Sequence, residues 1–478
     1  MTPLPFRVQS LLATVVALAS APVGFEVSDY AVELEIDREG RRLSGHERVR
    51  LRSTQDGLEV VRFPRNGIEI RSVTSERGAP LSFTVEPDAL AIRPPRPLSR
   101  GQRFSFVVAY SAMEPKGIVF GADVIYTLFF TCHWMICRDG PEDKATFTLS
   151  LAVPEGQTLI ASGEPTTFPT GGPPVRGASG HPSRRDPERP PARQTWKEDR
   201  PSSPYLFGFA LGPFARSSRR HRGVTLEYFT LGKDEAWRNR AFADDGQMLD
   251  FFVEKAGRRF PQRTYRQVVV NGSAAQELSS FSILGSKQLD ARMDDPTEDW
   301  LVAHEMAHQF WGNLVTCADW SHFWLNEGLT TFLVAAYKER RWGRQAYERE
   351  LELLRARHQF AVDASFDVPL TFGGDYPSLR IKRAITYSKG ALFLALLRQT
   401  VGERAFWRAL RRYTRRFAGK TATTRDFERI LADSSGRDLS ALFRTWAYEP
   451  PAPEEAAPVG PSDRGEAPEK THREQQGH

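Results

Sequence analysis

The stretch VAHEMAHQFWGNLV, from Val302 to Val315, places two histidines four residues apart inside an apolar run. Its apolar periodicity predicts a helix, on which side chains one turn apart project from the same face. His304 and His308 are therefore predicted to reach one common cation, as two imidazole ligands of zinc must. Glu305 lies about 100° further round the helix, where it does not compete for the metal but reaches a water molecule beside it.

A capping pattern precedes this run. Asp295 is a capping carboxylate, Pro296 suits the first helical position, and Glu298 stands three residues after the cap. The pattern predicts that the helix begins at Asp295 and runs through Trp311 to Gly312. Two histidines that only pack in a core are the alternative, but the capped helix and the glutamate beside them favour metal ligands.

The segment FWLNEGLTTFLVAAYKE carries the predicted third ligand. Glu327 lies in it, nineteen positions after His308, and the residues that follow are apolar with a helical period. A carboxylate inside so apolar a segment needs a partner or a metal ion. Two histidines, one glutamate and an open fourth position form the ligand set of a catalytic zinc site. We therefore predict one Zn2+ per chain, held by His304, His308 and Glu327.

The overall composition is that of an ordinary globular protein. Hydrophobic residues make up 40% and charged residues 26% of the 478 residues, and a mean hydropathy of -0.44 excludes a multi-span membrane protein. The formal charge of +6 comes mostly from scattered arginines, as in RRLSGHERVRLR (Arg41–Arg52) and ARSSRRHR (Ala215–Arg222). No nucleic-acid motif accompanies these clusters, so we interpret them as solvated basic surface and expect no nucleic-acid partner.

The N-terminal segment resembles an export signal. It combines one arginine, an apolar run from Leu11 and a string of small residues, which predicts a signal peptide over residues 1–21. The apolar run is too short to cross a bilayer core of about 30 Å as a helix, so no stable membrane insertion is expected. The protein is predicted to be exported, either periplasmic or secreted, and cytoplasmic if this segment is not a working signal.

Three cysteines are too few to form a disulfide scaffold in a chain of this length. Cys132 and Cys137 are close enough in sequence to pair if the protein is exported, which leaves Cys317 over. Three unpaired and partly buried thiols are an equal alternative, and the sequence leaves both open.

Periodicity divides the chain into two regions. Residues 22–215 alternate with a period of two between turn residues, which predicts an antiparallel β domain, interrupted by a flexible loop at 168–194 that is rich in proline, glycine and arginine. Residues 216–452 change to a mostly helical period with short strands, which predicts an α+β domain. Residues 453–478 are polar and rich in proline, and are predicted to be a disordered tail.

The motifs HEMAH and WLNEG together resemble those of the gluzincin zinc aminopeptidases, the family of alanyl aminopeptidase and the leukotriene-epoxide hydrolase/aminopeptidase. Met135–Gly156 and Ser202–Phe214 resemble segments of that family's N-terminal domain, and Ile385–Gly402 resembles its tyrosine-bearing segment. The resemblance implies a multi-domain protein, with an antiparallel β-sheet N-terminal domain followed by a thermolysin-like α+β catalytic domain. It also implies a two-domain form, because larger relatives continue into a C-terminal helical domain where this chain enters its predicted tail.

The resemblance implies a zinc-dependent aminopeptidase that releases N-terminal residues from peptides. Glu305 matches the general base, and Tyr387 matches the tyrosine whose hydroxyl stabilises the oxyanion. A packing aromatic is the alternative for Tyr387, and Tyr376 in GGDYPS is then the fallback. Glu277, in NGSAAQELSSFSILG, matches the glutamate that binds the free α-ammonium group of the substrate.

The Glu277 loop departs from the family pattern. Gln276 stands in place of a methionine and Leu278 in place of an asparagine, and no acid or amide stands near Thr127, where the family has a second amine contact. A zinc endopeptidase or oligopeptidase on the same scaffold, and a noncatalytic peptide-binding relative, therefore remain alternatives.

Overall fold

The computed structural model describes residues 24–166 and 192–450. The predicted signal peptide at 1–21 and the predicted tail at 453–478 lie outside the described residues. So does most of the predicted loop at 168–194, although its last three residues begin a β-strand at Ala192.

The first region consists of strands and two short 3-10 turns. The strands are β1 (Phe25–Asp37), β2 (Arg42–Ser53), β3 (Val61–Pro64), β4 (Glu69–Thr74), β5 (Ser82–Val85), β6 (Ala89–Arg93), β7 (Arg103–Met113), β8 (Ile118–Phe120), β9 (Ile125–Thr127), β10 (Ala145–Val153), β11 (Thr158–Ala161), β12 (Glu164–Pro165), β13 (Ala192–Ser202) and β14 (Phe209–Gly212). The 3-10 turns are Thr131–His133 and Pro204–Leu206.

These strands form three sheets. The largest has the order β12-β13-β10-β1-β2-β7-β4, beside a sheet of order β11-β14-β9-β8 and a sheet of order β3-β6-β5. In β1 the residues Tyr30, Val32 and Leu34 are buried and alternate with more exposed neighbours, as expected for a strand with one face on a core. The predicted antiparallel sheet is confirmed, with one exception: β1 and β10 run parallel.

Cys132 and Cys137 form a disulfide, with 5.0 Å between their Cα atoms. Of the two alternatives that the sequence left open, the structure therefore contains the paired one. Cys317 is free and buried.

The second region alternates strands and helices and then becomes helical. Its elements are β15 (Ala215–His221), β16 (Val224–Thr230), α1 (Glu235–Ala241), α2 (Asp245–Ala256), β17 (Thr264–Val270), β18 (Ala275–Gln276), β19 (Phe281–Gly285), α3 (Ser286–Asp294), α4 (Trp300–His308), β20 (Val315–Cys317), α5 (Trp324–Trp342), α6 (Arg344–Asp363), α7 (Leu379–Arg383), α8 (Gly390–Val401), α9 (Glu403–Phe417), β21 (Lys420–Ala422), α10 (Thr424–Ser435) and α11 (Ser440–Phe443). A 3-10 turn at Trp320–His322 precedes α5, and π-helical turns occupy Ala384–Lys389 and Arg444–Tyr448. Five strands form a mixed sheet of order β15-β16-β17-β19-β18.

The start predicted for the helix that carries both histidines is wrong. Asp295 has an extended backbone at the end of α3, and its Oδ1 accepts hydrogen bonds from the backbone N and the hydroxyl of Thr297. This bonding closes a turn, as aspartate side chains commonly do. The helix α4 begins only at Trp300, after Asp299, and ends at His308 rather than near Trp311.

The two regions share a packed boundary. One face of the mixed sheet, including Val268, Val270 and Ile283, belongs to the hydrophobic core of the first region. The opposite face, including Tyr265 and Val269, packs into the core of the helical region. The division at residue 215 stays a prediction, as does the thermolysin-like character of the second region. Among residues 24–166 and 192–450, no helix is long and apolar enough to cross a membrane.

Candidate metal centre

The structure brings the three predicted metal ligands together. Nε2 of His304 lies 3.0 Å from Nε2 of His308, and each of these nitrogens lies 3.3 Å from Oε2 of Glu327. All three side chains are buried. Ligands held at about 2.0–2.2 Å around a tetrahedral zinc ion are separated by roughly 3.3 Å. The arrangement therefore fits the spacing of three zinc ligands.

Helix geometry and a turn position these atoms. His304 and His308 are one turn apart on α4, and Glu327 lies in the first turn of α5, which packs against α4. After α4 the chain folds back, so that Nδ1 of His308 donates to the carbonyl oxygen of Trp311 at 3.0 Å. Because Nδ1 carries that proton, Nε2 is left to face the other two ligands.

Gly312 permits this fold-back. Its φ is +128°, and a Cβ atom at this position would lie 2.7 Å from Nδ1 of His308. Any other residue would therefore strain the backbone and crowd the imidazole.

The chemistry of the donor set calls for a positive charge between the three side chains. Two imidazole nitrogens face each other at 3.0 Å, which is unfavourable for two lone pairs unless a proton or a metal ion lies between them. Oε2 of Glu327 has no hydrogen-bond partner within the described part of the chain. A divalent cation satisfies all three atoms at once, so the residues present fit zinc.

The electrostatics of the ligands agree with this interpretation. Burial opposes ionisation of Glu327, but the imidazoles of His308 and His304 hold the pKa of its carboxyl well below the usual range. Burial, together with the neighbouring His308, lowers the pKa of His304 to about 4. Burial disfavours a charged His308 as well, yet the carboxylates of Glu327, Glu277 and Glu305 raise its pKa to about 10. An anionic glutamate and a site that attracts positive charge are the conditions that zinc binding needs.

Glu305 lies on α4 beside the ligands and is buried. Its Oε2 finds no hydrogen-bond partner among the residues described. Burial raises the pKa of Glu305 well above its usual value, and the carboxylates of Glu277 and Glu327 raise it further against the opposing effect of His308. A buried carboxyl with a raised pKa and an oxygen without a hydrogen-bond partner is suited to accept and return a proton.

Glu277 faces the same centre from the loop between β18 and β19. Burial raises the pKa of its carboxyl, and its charge interacts with those of His308 and Glu327. The loop backbone is held from the end of the histidine helix: Nδ2 of Asn313 donates to the carbonyl of Glu277 at 2.8 Å, and Nε2 of Gln309 donates to that of Leu278 at 3.2 Å.

Two of the three departures from the family pattern, at Gln276 and at Thr127, have structural roles of their own. Oε1 of Gln276 accepts from the backbone N of Phe129 at 2.8 Å, and its Nε2 donates to the carbonyl of Tyr205 at 3.0 Å. Gln276 therefore joins the loop to the first region. Thr127 exchanges hydrogen bonds with the backbone of Phe209, at 3.0 and 3.3 Å.

Tyr387 lies in the π-helical turn Ala384–Lys389, between α7 and α8. Its ring stacks on that of His304, with 5.7 Å between centroids and 16° between planes. Burial, then the nearby carboxylates of Glu327 and Glu277, raise the pKa of its phenol well above the usual value. The fallback, Tyr376, packs instead against Phe366 and Phe372.

Two glycines let the Tyr387 segment approach α5. A Cβ atom on Gly328, the residue after Glu327, would lie 3.0 Å from Cα of Gly390 and 3.2 Å from the carbonyl oxygen of Thr386. A Cβ atom on Gly390 would in turn lie 3.1 Å from Cα of Gly328. The two helical segments are thus in backbone contact beside the metal ligands.

Sequence reasoning missed the residues that support the site. Gln309 and Asn313 lie one and five positions after His308, and Tyr205 lies in the segment Ser202–Phe214. Only their polar character in otherwise apolar runs was available as a signal, because a buried polar side chain must find a partner. Their partners are distant in sequence and could not be inferred from it.

Comparisons with known proteins find that part of this chain is similar to peptidases. The model of the peptidase family M1 domain matches residues 242–446. Aminopeptidase N of Lactococcus lactis subsp. lactis is 24% identical over 357 residues, covering 70% of this chain and 40% of that protein. Aminopeptidase M1-C of Oryza sativa subsp. japonica is 25% identical over 347 residues, covering 66% of this chain and 35% of the rice protein. The chain therefore spans two fifths or less of the length of these two relatives.

Solved structures show the same fold over nearly the whole chain. The crystal structure of an M1 zinc metallopeptidase from Deinococcus radiodurans has a TM-score of 0.73 at 22% identity, covering 92% of this chain and 97% of that one. A mutant of that metallopeptidase bound to a Tyr-Ser-Ala substrate has a TM-score of 0.73 at 21% identity. The likeness confirms the predicted order of a β-sheet region followed by a mixed α and β region.

Proposed function

We propose, from the match of residues 242–446 to the model of the peptidase family M1 domain, that this chain is a zinc-dependent aminopeptidase with one zinc ion per chain. The observation that carries the proposal is the convergence of His304, His308 and Glu327 with an unpartnered Glu305 beside them. Zinc held by such a set supplies a Lewis acid that activates water and polarises a peptide carbonyl.

Glu305 is the proposed general base and acid. It takes a proton from the attacking water and returns it to the leaving amine, and its buried carboxyl with a raised pKa suits both transfers. His304 and His308 serve as ligands and therefore cannot take this role. The orientation of His308 is fixed by its bond to Trp311.

Tyr387 is the proposed oxyanion donor. Its raised pKa keeps the phenol protonated at neutral pH, so its hydroxyl is available to donate a hydrogen bond where negative charge develops. Its ring is held against His304, which keeps it at the edge of the metal centre.

Glu277 is the proposed binding residue for the free α-ammonium group of a peptide. Its carboxylate is buried near the metal ligands, and an ammonium ion offers the charge and hydrogen bonds that such a carboxylate needs. Peptides are the proposed substrates, and the relative solved with a Tyr-Ser-Ala substrate supports that class.

A zinc endopeptidase or oligopeptidase is the second candidate function. Two observations favour it: position 127 is a threonine and not an acid or amide, and the side chain of Gln276 is engaged by Phe129 and Tyr205.

Export is the proposed localisation. The disulfide between Cys132 and Cys137 suits an oxidising compartment, where such bonds persist. Cell fractionation followed by N-terminal sequencing of the purified chain tests this proposal. A cytoplasmic protein that retains residues 1–21 would contradict it.

Three substrates separate the candidate functions. We expect chelator-sensitive hydrolysis of an aminoacyl anilide, little hydrolysis of the same anilide after N-acetylation, and little cleavage of an internally quenched peptide with a blocked N-terminus. Cleavage of the blocked or internal bonds would favour the endopeptidase. The absence of any chelator-sensitive cleavage, with zinc bound, would favour a noncatalytic relative.

The Glu305→Gln variant tests the proposed proton transfer. We expect zinc content to stay near one ion per chain while turnover of the anilide falls by at least about a hundredfold, because an amide cannot accept the proton. Glu298→Gln, at an exposed position just before the same helix, is the matched control and should keep wild-type turnover. Retained turnover in Glu305→Gln would reject the role.

A further inference from the structure

Tyr205 reaches from the first region into the metal-binding region. It lies in the 3-10 turn Pro204–Leu206, and its side chain is 9% exposed. Its hydroxyl donates to the carbonyl oxygen of Gly312 at 3.2 Å and accepts from Nδ2 of Asn326 at 3.1 Å. Its own carbonyl oxygen accepts from Nε2 of Gln276 at 3.0 Å. One residue therefore bonds to three separate segments.

Each of these three segments carries part of the proposed site. Gly312 follows Trp311, whose carbonyl fixes the imidazole of His308. Asn326 immediately precedes the ligand Glu327, and Gln276 immediately precedes Glu277. A displacement at any of these contacts is therefore passed directly to a residue of the site.

The hydrogen bonds of Asn326 determine those of Tyr205. Oδ1 of Asn326 accepts from the backbone N of Cys317 at 3.0 Å, so its Nδ2 is the atom that faces the phenol. The hydroxyl then accepts from Asn326, which leaves its proton for Gly312. Both bonds are buried, and removal of the hydroxyl would leave a buried amide donor without its partner.

Other contacts from the first region hold the same area. The ring of Trp320 packs edge-on against Tyr205 at 5.2 Å, and its Nε1 donates to the carbonyl of Asp139 at 2.9 Å. Nζ of Lys144 donates to the hydroxyl of Thr316 at 2.6 Å and to the carbonyl of Asn313 at 3.2 Å. The turn after α4 is therefore held by polar contacts from outside its own region. Among these contacts within the described residues, only those of Tyr205 also reach α5, the helix that carries the third ligand Glu327.

We infer that Tyr205 is a positioning residue for the metal centre, supplied by the first region. Its hydroxyl fixes the distance between the turn that orients His308 and the start of the helix that carries Glu327. The inference rests on the proposed zinc site but not on peptidase activity. It also implies that residues 216–450 do not form a full-affinity metal site by themselves.

The Tyr205→Phe variant of the full chain tests the inference, with Tyr110→Phe as the matched control. The Tyr110 hydroxyl is also buried and donates to the carbonyl of Trp134 at 3.0 Å, but both residues lie in the first region. Both variants lose one buried phenol oxygen, which makes two hydrogen bonds at Tyr205 and one at Tyr110. The measurements are zinc affinity, by competition with a chelator of known affinity, and thermal unfolding of the metal-free proteins.

We expect Tyr205→Phe to bind zinc about ten- to a hundredfold more weakly than wild type, as losses around metal ligands commonly do. Tyr110→Phe should bind zinc like wild type, although each variant should lose some thermal stability without metal. In turnover, Tyr205→Phe should recover its kcat when zinc is raised to saturation, with little change in KM for an aminoacyl anilide.

Asn326→Ala is the second variant and carries the test if Tyr205→Phe does not fold. It removes the other side of the same bond, so its effect on zinc affinity and that of Tyr205→Phe should not add in the double variant. Zinc affinity of Tyr205→Phe within about twofold of wild type, or an equal loss in Tyr110→Phe, would overturn the inference. Zinc binding by the wild type without hydrolysis would instead contradict the proposed function and leave this comparison of affinities valid.

Discussion

The zinc ligands and the Glu277 loop are two parts of one site that are built in different ways. The ligands lie on α4 and α5, where the regular geometry of the helices fixes the direction of each side chain. Glu277 lies in a short connection between β18 and β19, whose backbone is held by side chains of Asn313, Gln309 and Gln276. The direction of each ligand side chain therefore follows from its place on a helix, whereas the position of the Glu277 loop is set by side chains elsewhere in the fold.

Loss of a zinc ligand should have the largest effect, because the ligands on α4 and α5 hold the metal ion itself. We expect Glu327→Ala to lose most bound zinc and at least about a thousandfold in anilide turnover, since two histidines alone do not make a three-ligand site. Metal analysis of the dialysed protein, together with kcat, measures both effects. Glu352→Ala, at an exposed position of α6, is the control and should retain zinc and activity.

A smaller and more selective effect should follow from a change in the loop. We expect Glu277→Gln to keep its zinc but to lose about ten- to a hundredfold in kcat/KM on a free-amine anilide, because an amide pairs less well with an ammonium group. Its residual activity on the N-acetylated anilide should not fall. Equal losses on both substrates would show that Glu277 does not bind the amine.

The smallest effect should come from the support of the loop. Asn313→Ala removes the donor to the carbonyl of Glu277, which should raise KM for the free-amine anilide by roughly fivefold and lower stability by about 1–2 kcal/mol. Zinc affinity should stay close to that of wild type, because the carbonyl bonded to His308 belongs to Trp311. A loss of zinc as large as that of Glu327→Ala would show that the loop and the ligands are not separable in this way.

The same contrast explains what the sequence could predict. The spacing of His304 and His308 indicated that both imidazoles face one cation, because side chains one helical turn apart project from the same face, whereas Glu327 was predicted from its charge inside an apolar segment. The strands of the first region could be predicted from the alternation of apolar and polar residues, but the parallel pairing of β1 with β10 could not. The alternation is the same whether a neighbouring strand runs parallel or antiparallel. The start of α4 was misplaced because the carboxylate of Asp295 bonds within a turn and caps no helix.

The residues that support the site could not be predicted from the sequence, for a different reason. Gln276 was noted only as a departure from the family pattern, although its side chain joins the loop to Phe129 and Tyr205. Such bonds join residues that are far apart in the chain and leave no periodic pattern. A buried polar residue predicts that a partner exists, but not which residue it is.

The contact between Gly328 and Gly390 has a consequence for how this site can change. Because a methyl group at either position would lie only 3.0 or 3.1 Å from the facing Cα atom, the close contact of two bare backbones sets how near the Tyr387 segment lies to the helix of Glu327. The methyl group of an alanine at either position would push the two segments apart and move the phenol of Tyr387 away from the ligands. None of the proposed zinc ligands would be altered by this change. The absence of a side chain at Gly328 and at Gly390 therefore sets how closely the segment of Tyr387 packs against α5.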